Sequence, residues 1–186
     1  MTRKIVTITI EFQGKRYFFN RFLGLLFCQN DKKENSKTET NKKIPEQIKF
    51  VEYPYQCKIG MDNPLSPKDN IYIRLWGVVL TIFLKYSFVL GLIFSRLCFR
   101  NFNNTIDAVS FYRKYIQPDN QNDLCLSRCL FAAVTSKSFK KKGTIFIGVF
   151  LPSNSLHAWI IEDGFLVDRN DDSWILYHPV AIIYYE

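Results

Sequence analysis

Residues 125–168 read "CLSRCLFAAVTSKSFKKKGTIFIGVFLPSNSLHAWIIEDGFLVD", and their pattern changes from helical to strand-like near Gly143. The first part mixes apolar residues with small alanines and ends in three lysines. This is typical of a helix that begins near Asp123 and ends at Gly143. The second part is rich in β-branched and aromatic residues that short polar turns separate. The stretch therefore predicts an α+β fold, with a helix followed by an antiparallel sheet.

Four strands are predicted after this helix, at residues 144–151, 157–162, 165–168 and 174–185. Asp163 and Gly164 lie between two apolar runs, and an Asp-Gly pair in that setting is a strong signal for a hairpin turn. The start of one hairpin strand neighbours the end of the other. We therefore expect His157 and Asp168 to meet at the same edge of the sheet.

Cys125 is expected in the first turn of the predicted helix. A helix N-terminus carries partial positive charge and N–H groups without intrahelical partners. Such a site favours the thiolate, lowers the pKa of a cysteine and can stabilise an oxyanion. Cys129 is one turn deeper, and we expect it to pack beneath Cys125. Cys125 is therefore the candidate nucleophile.

A nucleophilic thiol needs a base, and the base needs a group that orients it. The chain contains two histidines, His157 and His178. His157 opens a predicted strand, where its side chain could face the helix N-terminus. His178 precedes Pro179, and we interpret it as structural or exposed. The predicted catalytic residues are therefore Cys125, His157 and Asp168.

Plainer interpretations exist for the same residues. A cysteine in a helix is usually a small buried hydrophobe, and a histidine beside Trp159 is more often a satisfied core residue. A zinc site built from Cys125, Cys129 and His157 is a further alternative, because residues four apart share a helix face. That site lacks a clear fourth ligand and the usual closely spaced pair of cysteines, so we rank it below the catalytic hypothesis.

As an ordered set, these elements resemble the C-terminal peptidase portion of lasso-peptide maturation B proteins, which belong to the transglutaminase-like (papain-like) cysteine peptidase superfamily. The matching elements are Cys-Leu-Ser-Arg at 125–128, three lysines at 140–142, Ile-Gly-Val at 147–149, His-Ala-Trp at 157–159, Asp-Gly at 163–164, and Asp168. The resemblance covers about residues 122–170. It implies a nucleophile helix packed on an antiparallel sheet, with Cys125, His157 and Asp168 as the triad.

The third triad position departs from the family pattern. In the family the aspartate typically follows an asparagine, one position later than Asp168, and an ungapped comparison places Arg169 there. Either the turn is one residue shorter in this chain, or Asp171 or Asp172 supplies the carboxylate. The residue four after the nucleophile is often serine in the family and is Cys129 here. Neither difference affects Cys125 or His157.

Residues 1–62 are predicted as a separate N-terminal unit, and residues 63–186 as a helical segment followed by the peptidase domain. Residues 4–12 and 15–20 predict a β-hairpin that turns at Gln13 and Gly14. Residues 29–47 are polar and charged, which predicts a flexible linker. Family members of this kind begin with a small module that holds the precursor's leader peptide on an edge strand. The resemblance therefore implies a degenerate leader-recognition module here.

The most apolar part of the chain is residues 71–100. A transmembrane helix needs about 20 predominantly apolar residues, and Lys85 interrupts this run in the middle. Arg74, Lys85 and Arg96 are spaced by eleven residues, close to three helical turns, and would form one charged stripe. This pattern favours a helix packed on the core over one lying in a membrane interface. A second helix is predicted to begin with Thr105 as N-cap and to end before Pro118.

Charge and cysteine content narrow the class of protein. The net charge is +8, and residues 1–43 carry ten basic and four acidic side chains. No nucleic-acid-binding motif accompanies this charge, so nucleic acid is not an expected partner. The five cysteines are odd in number and match no disulfide framework, and no secretory signal is recognisable. We therefore expect a cytoplasmic protein with free thiols.

The resemblance implies a cysteine peptidase that removes the leader peptide from a ribosomally synthesised lasso-peptide precursor before macrocyclisation. No cofactor would be bound directly, and ATP would be used only by the partner, an asparagine-synthetase-like lasso cyclase. The aromatic, basic middle segment is the candidate surface for that partner, and membrane association is not expected. Two alternatives stay open: a transglutaminase-like acyltransferase on the same triad, and a catalytically inert protein that only binds and presents the leader.

Overall fold

A computed structural model of the chain describes residues 3–20, 25–30, 67–94, 101–117, 124–167 and 175–186. Most of the predicted linker at residues 29–47 lies outside the described residues. The β-strands are β1 (Arg3–Thr7), β2 (Ile10–Phe12), β3 (Lys15–Asn20), β4 (Leu25–Asn30), β5 (Gly143–Phe150), β6 (Ser155–Glu162), β7 (Phe165–Leu166) and β8 (His178–Tyr185). The helices are α1 (Pro67–Tyr86), α2 (Phe88–Phe94), α3 (Thr105–Tyr115), α4 (Cys125–Thr135) and α5 (Phe139–Lys142).

The main sheet is antiparallel and has the strand order β1-β8-β5-β6-β7. Strands β5 and β6 pair along their full length, from Gly143 opposite Glu162 to Phe150 opposite Ser155. Asp163 and Gly164 have positive φ angles of 58° and 85° and form the predicted hairpin turn between β6 and β7. The fold is therefore mixed α and β with an antiparallel sheet, as the sequence predicted.

The prediction that residues 4–12 form one strand of an N-terminal hairpin is wrong. The chain leaves the strand after Thr7, and β1 pairs with β8, with Arg3 opposite Tyr185. The hairpin itself is confirmed, because β2 pairs with β3 across a turn in which Gln13 and Gly14 have φ angles of 51° and 69°. Strand β3 also pairs with β4, so the edges of this small sheet are β2 and β4.

The helix predicted over residues 71–100 is divided at Ser87. The Ser87 N–H donates to the Phe83 carbonyl at 2.8 Å, which completes α1. The Ser87 hydroxyl accepts a hydrogen bond from the Leu90 N–H at 3.4 Å and so caps α2. Serine favours such capping positions because its side chain competes for backbone hydrogen bonds. No helix in the described ranges is both long and apolar enough to cross a membrane.

Helix α1 packs on the core with one face only. Ile73, Trp76 and Leu80 are buried at helical spacing, and the Trp76 ring lies 6.0 Å from that of Phe131 in α4. Arg74 and Lys85 are exposed, as the charged-stripe prediction requires, whereas Arg96 lies outside the described residues. From residue 71 onward, the other exposed residues of α1 are apolar. A helix whose only solvent-facing part is a narrow charged stripe does not account for them.

The single helix predicted from Asp123 to Gly143 is also divided. Helix α4 ends at Thr135, and Ser136 forms an isolated bridge with Phe102 before α5 begins. The three lysines lie in α5. Gly143 does follow the last helical residue, but its backbone is extended and a Cβ there would collide with the Phe139 ring. Close approach, rather than a left-handed cap, therefore favours glycine at this position.

Two buried clusters lie on opposite faces of the main sheet, and β6 shows the alternation between them. Ala158 and Ile160 belong to the larger cluster, which contains α1, α3 and α4 residues. Trp159 and Ile161 belong to a smaller cluster with residues of β1, β5, β7 and β8. Successive strand residues point to opposite faces, so α4 packs on the face that Ala158 shares. This arrangement determines which β6 side chains can lie near Cys125.

Candidate active site

Cys125 is the first residue of α4, and its side chain is only 7% exposed. The prediction that it lies in the first helical turn is confirmed, and the N-cap is Leu124, which makes no side-chain cap hydrogen bond. The thiol lies against β6, where the backbone N–H of Ala158 hydrogen-bonds to it. The N-terminus of α4 and strand β6 therefore enclose the Cys125 sulfur together.

Burial raises the pKa of the Cys125 thiol above the ordinary value for cysteine. The Ala158 hydrogen bond, the positive charge of Arg128 and the backbone N–H groups at the helix start act in the opposite direction but do not compensate. The predicted lowering of this pKa is therefore wrong, because desolvation outweighs the helix N-terminus. At neutral pH the protonated thiol dominates, so nucleophilic chemistry at Cys125 would need a base.

His157 lies in β6, opposite Gly148 of β5, and is half-buried. Its ring is stacked near that of Trp159, with centroids 6.2 Å apart and planes 17° apart, and it lies 5.1 Å from the Tyr177 ring. Ala158, the next residue, is the one that contacts the Cys125 thiol. The imidazole therefore lies on the Trp159 face of β6, whereas the Cys125 thiol lies on the opposite face with Ala158. The expected approach of the His157 ring to the thiol is not present in this structure.

Gly148 makes room for the aromatic rings that surround His157. A Cβ at this position would lie 2.7 Å from Cη2 of Trp159 and 2.9 Å from Cβ of Tyr177, closer than real Cβ contacts. The β5–β8 pairing also shifts register between Ile147 and Gly148, a local irregularity of the kind often found beside functional sites. The glycine of the Ile-Gly-Val element is therefore required by packing around His157.

The third predicted catalytic residue, Asp168, lies outside the described residues, as do its alternatives Asp171 and Asp172. The chain just before it is described. Strand β7 ends at Leu166, and the Val167 N–H donates to the Ile160 carbonyl at 3.1 Å. Residue 167 therefore still runs beside β6, and the assignment of the third position stays a prediction.

Cys129 is 2% exposed and packs in the same cluster as Cys125, one turn deeper, as predicted. His178 is exposed at the start of β8, also as predicted. Within the described ranges, no group of three or more His, Cys, Asp or Glu side chains could hold a metal ion. Cys125, Cys129 and His157, considered above as zinc ligands, do not form such a group.

Arg128 is a buried cation one helical turn after Cys125. Its side chain is 5% exposed, and its Nη1 donates to Oε1 of Gln117 at 3.0 Å. Its charge lowers the pKa of the Cys125 thiol and that of the Tyr112 hydroxyl, opposing the effect of burial on each. The sequence carried the relevant signal, because residues three apart on a helix share a face. The Cys-Leu-Ser-Arg motif contains this arginine, but no role was predicted for it.

Glu162 was missed by the sequence analysis altogether. This carboxylate is buried at the end of β6, and its Oε1 accepts hydrogen bonds from the hydroxyls of Thr105 and Ser138, both at 2.6 Å. Thr105 is the first residue of α3 rather than its N-cap, and Asn104 takes the cap position. Glu162 thus joins the start of α3 and the segment between α4 and α5 to β6, the strand that carries His157.

No family model matches this chain, and neither a curated protein nor a solved structure matches it.

Proposed function

We propose that this protein is a cytoplasmic cysteine peptidase that removes the leader peptide from a ribosomally synthesised lasso-peptide precursor before macrocyclisation. The observation that supports this most directly is the position of Cys125. It begins α4 and contacts the backbone of Ala158, the residue after His157, in an antiparallel sheet. A cysteine at a helix start, then a strand histidine, then an aspartate after the next strand is the chain order of transglutaminase-like peptidases.

In this proposal the Cys125 sulfur attacks the scissile carbonyl and forms a thioester with the leader. For His157 to take the thiol proton and pass it to the amine of the departing core peptide, its ring must move from the Trp159 face of β6 to the Cys125 side. Water then hydrolyses the thioester and releases the leader. Asp168, or Asp171 or Asp172, orients the imidazole, and the Cys125 N–H donates to the oxyanion. The charge of Arg128 favours the thiolate during the reaction.

The leader would bind by adding a strand to the small sheet. Strands β2 and β4 are the edges of that sheet, whereas β3 is paired on both sides. An edge strand presents backbone N–H and C=O groups to an extended peptide. The released core peptide would pass to an asparagine-synthetase-like cyclase, which uses ATP.

The test is leader cleavage by the purified chain, using a lasso precursor peptide as substrate, with and without an asparagine-synthetase-like cyclase. Cys125→Ala and His157→Ala are expected to abolish release of the leader, as detected by mass spectrometry. The matched controls are Cys129→Ala, in the same helix, and His178→Ala, the other histidine. Both controls are expected to keep cleavage within severalfold of wild type. Release of the leader by Cys125→Ala would sink the peptidase hypothesis.

A second candidate function is a catalytically inert protein that binds and presents the leader. The buried thiol with a raised pKa favours this alternative, because free nucleophilic cysteines usually have a lowered pKa. Fluorescence anisotropy with a labelled leader separates the two. Tight leader binding without cleavage by the wild-type chain, even with the cyclase present, would support the inert protein. Incorporation of a labelled amine at the cleavage site would instead indicate acyl transfer.

A further inference from the structure

Helices α1 and α2 both expose large apolar side chains to solvent. Tyr86 is 80% exposed, and Ile71 and Leu75 are 64% and 63% exposed. Soluble monomers rarely expose contiguous apolar patches larger than a few hundred Å². The outward face, as we call this surface below, consists of Ile71, Tyr72, Leu75, Val78, Val79, Ile82, Tyr86, Leu90 and Ile93.

The α1 part of the outward face follows the period of the helix. At roughly 100° per residue, its seven members fall within a sector of about 120°. The buried residues Ile73, Trp76 and Leu80 lie outside this sector and contact the core. The buried residues adjoin the exposed sector, so the helix is apolar over one broad arc of which the protein covers only part.

Basic side chains border the outward face, and acidic ones are absent from it. Arg74 and Lys85 are both exposed, and their positions in the helical period place them along one border of the apolar sector. The sequence from residue 71 to residue 94 contains no aspartate or glutamate. Tyr72 lies near the start of α1 and Tyr86 at its end, and tyrosine combines an apolar ring with a polar tip.

We propose that the outward face of α1 and α2 binds the surface of an anionic lipid bilayer. A helix that lies in the headgroup region needs an apolar stripe bordered by basic residues, and this is the pattern observed. An anionic surface complements Arg74 and Lys85. If this face paired with the same face of a second copy, Arg74 and Lys85 of the two copies would come close together. Residues 71–94 contain no acidic side chain that could neutralise them. The charge pattern therefore favours lipid over self-association.

The test is co-sedimentation of the full chain with vesicles made of equal parts phosphatidylcholine and phosphatidylglycerol, compared with phosphatidylcholine alone. Partitioning into the anionic vesicles is expected to be at least about tenfold stronger and to weaken with added salt. Leu75→Gln combined with Ile82→Gln is expected to lower it at least about tenfold, because both side chains leave the apolar surface. Arg74→Glu combined with Lys85→Glu is expected to lower it by a similar factor.

Matched controls change equally exposed residues elsewhere. Ile175→Gln with Leu176→Gln alters exposed apolar side chains outside the helices, and Lys15→Glu with Lys141→Glu reverses exposed charges on β3 and α5. Both controls are expected to stay within twofold to threefold of wild type. Cys125→Ala should bind vesicles like wild type, so that this proposal and the peptidase proposal can fail separately.

Two results would overturn the lipid proposal. One is that the wild-type chain does not bind the anionic vesicles, or that the helix variants and the control variants reduce its binding equally. The other is a wild-type dimer, seen by light scattering, that Leu75→Gln with Ile82→Gln converts to a monomer while no vesicle binding occurs. Unfolding curves of all variants would show that each remains folded, which the exposure of the substituted side chains leads us to expect.

Discussion

Strand β6 on one side and the core beneath α4 on the other shield the Cys125 thiol from solvent. Sequence reasoning placed this residue correctly in the first helical turn, because the helical pattern and the position of the cysteine are local properties. It gave the wrong direction for the pKa, because desolvation depends on how closely a separate strand approaches. The same limit applies to His157, whose aromatic surroundings come partly from Tyr177 on another segment.

Alkylation of Cys125 should therefore depend steeply on pH. The raised pKa keeps the thiol protonated at neutral pH, and the thiolate is the reactive form. At pH values near neutrality, we expect iodoacetamide to modify Cys125 more slowly than the exposed Cys28. The modification rate of Cys125 should increase only when the pH exceeds the ordinary pKa of a cysteine thiol. Peptide mass spectrometry of the protein quenched at several pH values measures both sites. Faster modification of Cys125 than of Cys28 near neutral pH would contradict this prediction.

Substitution of Gly148 should disturb the rings around His157. Gly148→Ala would place a Cβ against Trp159 and Tyr177, and relief of that overlap typically costs about 1–3 kcal/mol. Urea unfolding monitored by tryptophan fluorescence measures the loss of stability and reports a change around Trp159. The control is Ser153→Ala in the exposed turn after β5, which should stay within about 0.5 kcal/mol of wild type. Equal stability of the two variants would show that the rings move without cost.

At the scale of elements, the strands and turns of the C-terminal sheet were predictable and the helix breaks were not. Asp163 and Gly164 adopt the positive φ angles that an Asp-Gly turn favours, so the hairpin is specified locally. Ser87 and Ser136 interrupt helices without a proline or glycine at the break. Ser136 leaves the helix where it bridges to Phe102, a contact between distant segments. No local pattern carries that information.

Loss of the Glu162 carboxylate should destabilise the protein more than loss of a surface carboxylate. Glu162→Ala removes the acceptor for the buried Thr105 hydroxyl and the partly buried Ser138 hydroxyl, which would keep only their bonds to each other and to Ser136. We expect a loss of about 1–3 kcal/mol in urea unfolding. Glu11→Ala is the control, because the Glu11–Arg16 ion pair is exposed and should contribute at most about 1 kcal/mol. Similar losses for both variants would argue against a structural role for Glu162.

For the whole molecule, the sequence predicted the class of fold and the strand assignment of the C-terminal half. It did not predict that β1 joins the main sheet, because strand partners far apart in sequence leave no periodic signal. Val6 and Ile5 pack against the two opposite clusters of the sheet, so β1 is buried on both faces. The third residue of the proposed triad, Asp168 or its alternatives Asp171 and Asp172, lies beyond the described residues.

Deletion of residues 1–7 should therefore destabilise the main sheet. Val6 and Ile5 lose their buried contacts, and each apolar side chain contributes roughly 1.5–3 kcal/mol when fully buried. We expect a loss of at least about 2 kcal/mol in urea unfolding, since Ile5 is only partly buried. Lys4→Ala is the control on the same strand, because its ion pair with Glu186 is exposed. A C-terminal sheet of unchanged stability would instead support an independent unit at residues 1–62.

The pairing of β1 with β8 also has a consequence for synthesis on the ribosome. Arg3 and Tyr185 are opposite each other in the sheet, so β1 emerges from the ribosome long before its partner has been made. During that interval its backbone edge and apolar faces are available to other chains, and such exposed strands promote aggregation. The sheet can close only after release of residues 178–185, since the exit tunnel holds the most recently added residues. We therefore expect the nascent chain to depend on chaperones that shield early apolar segments.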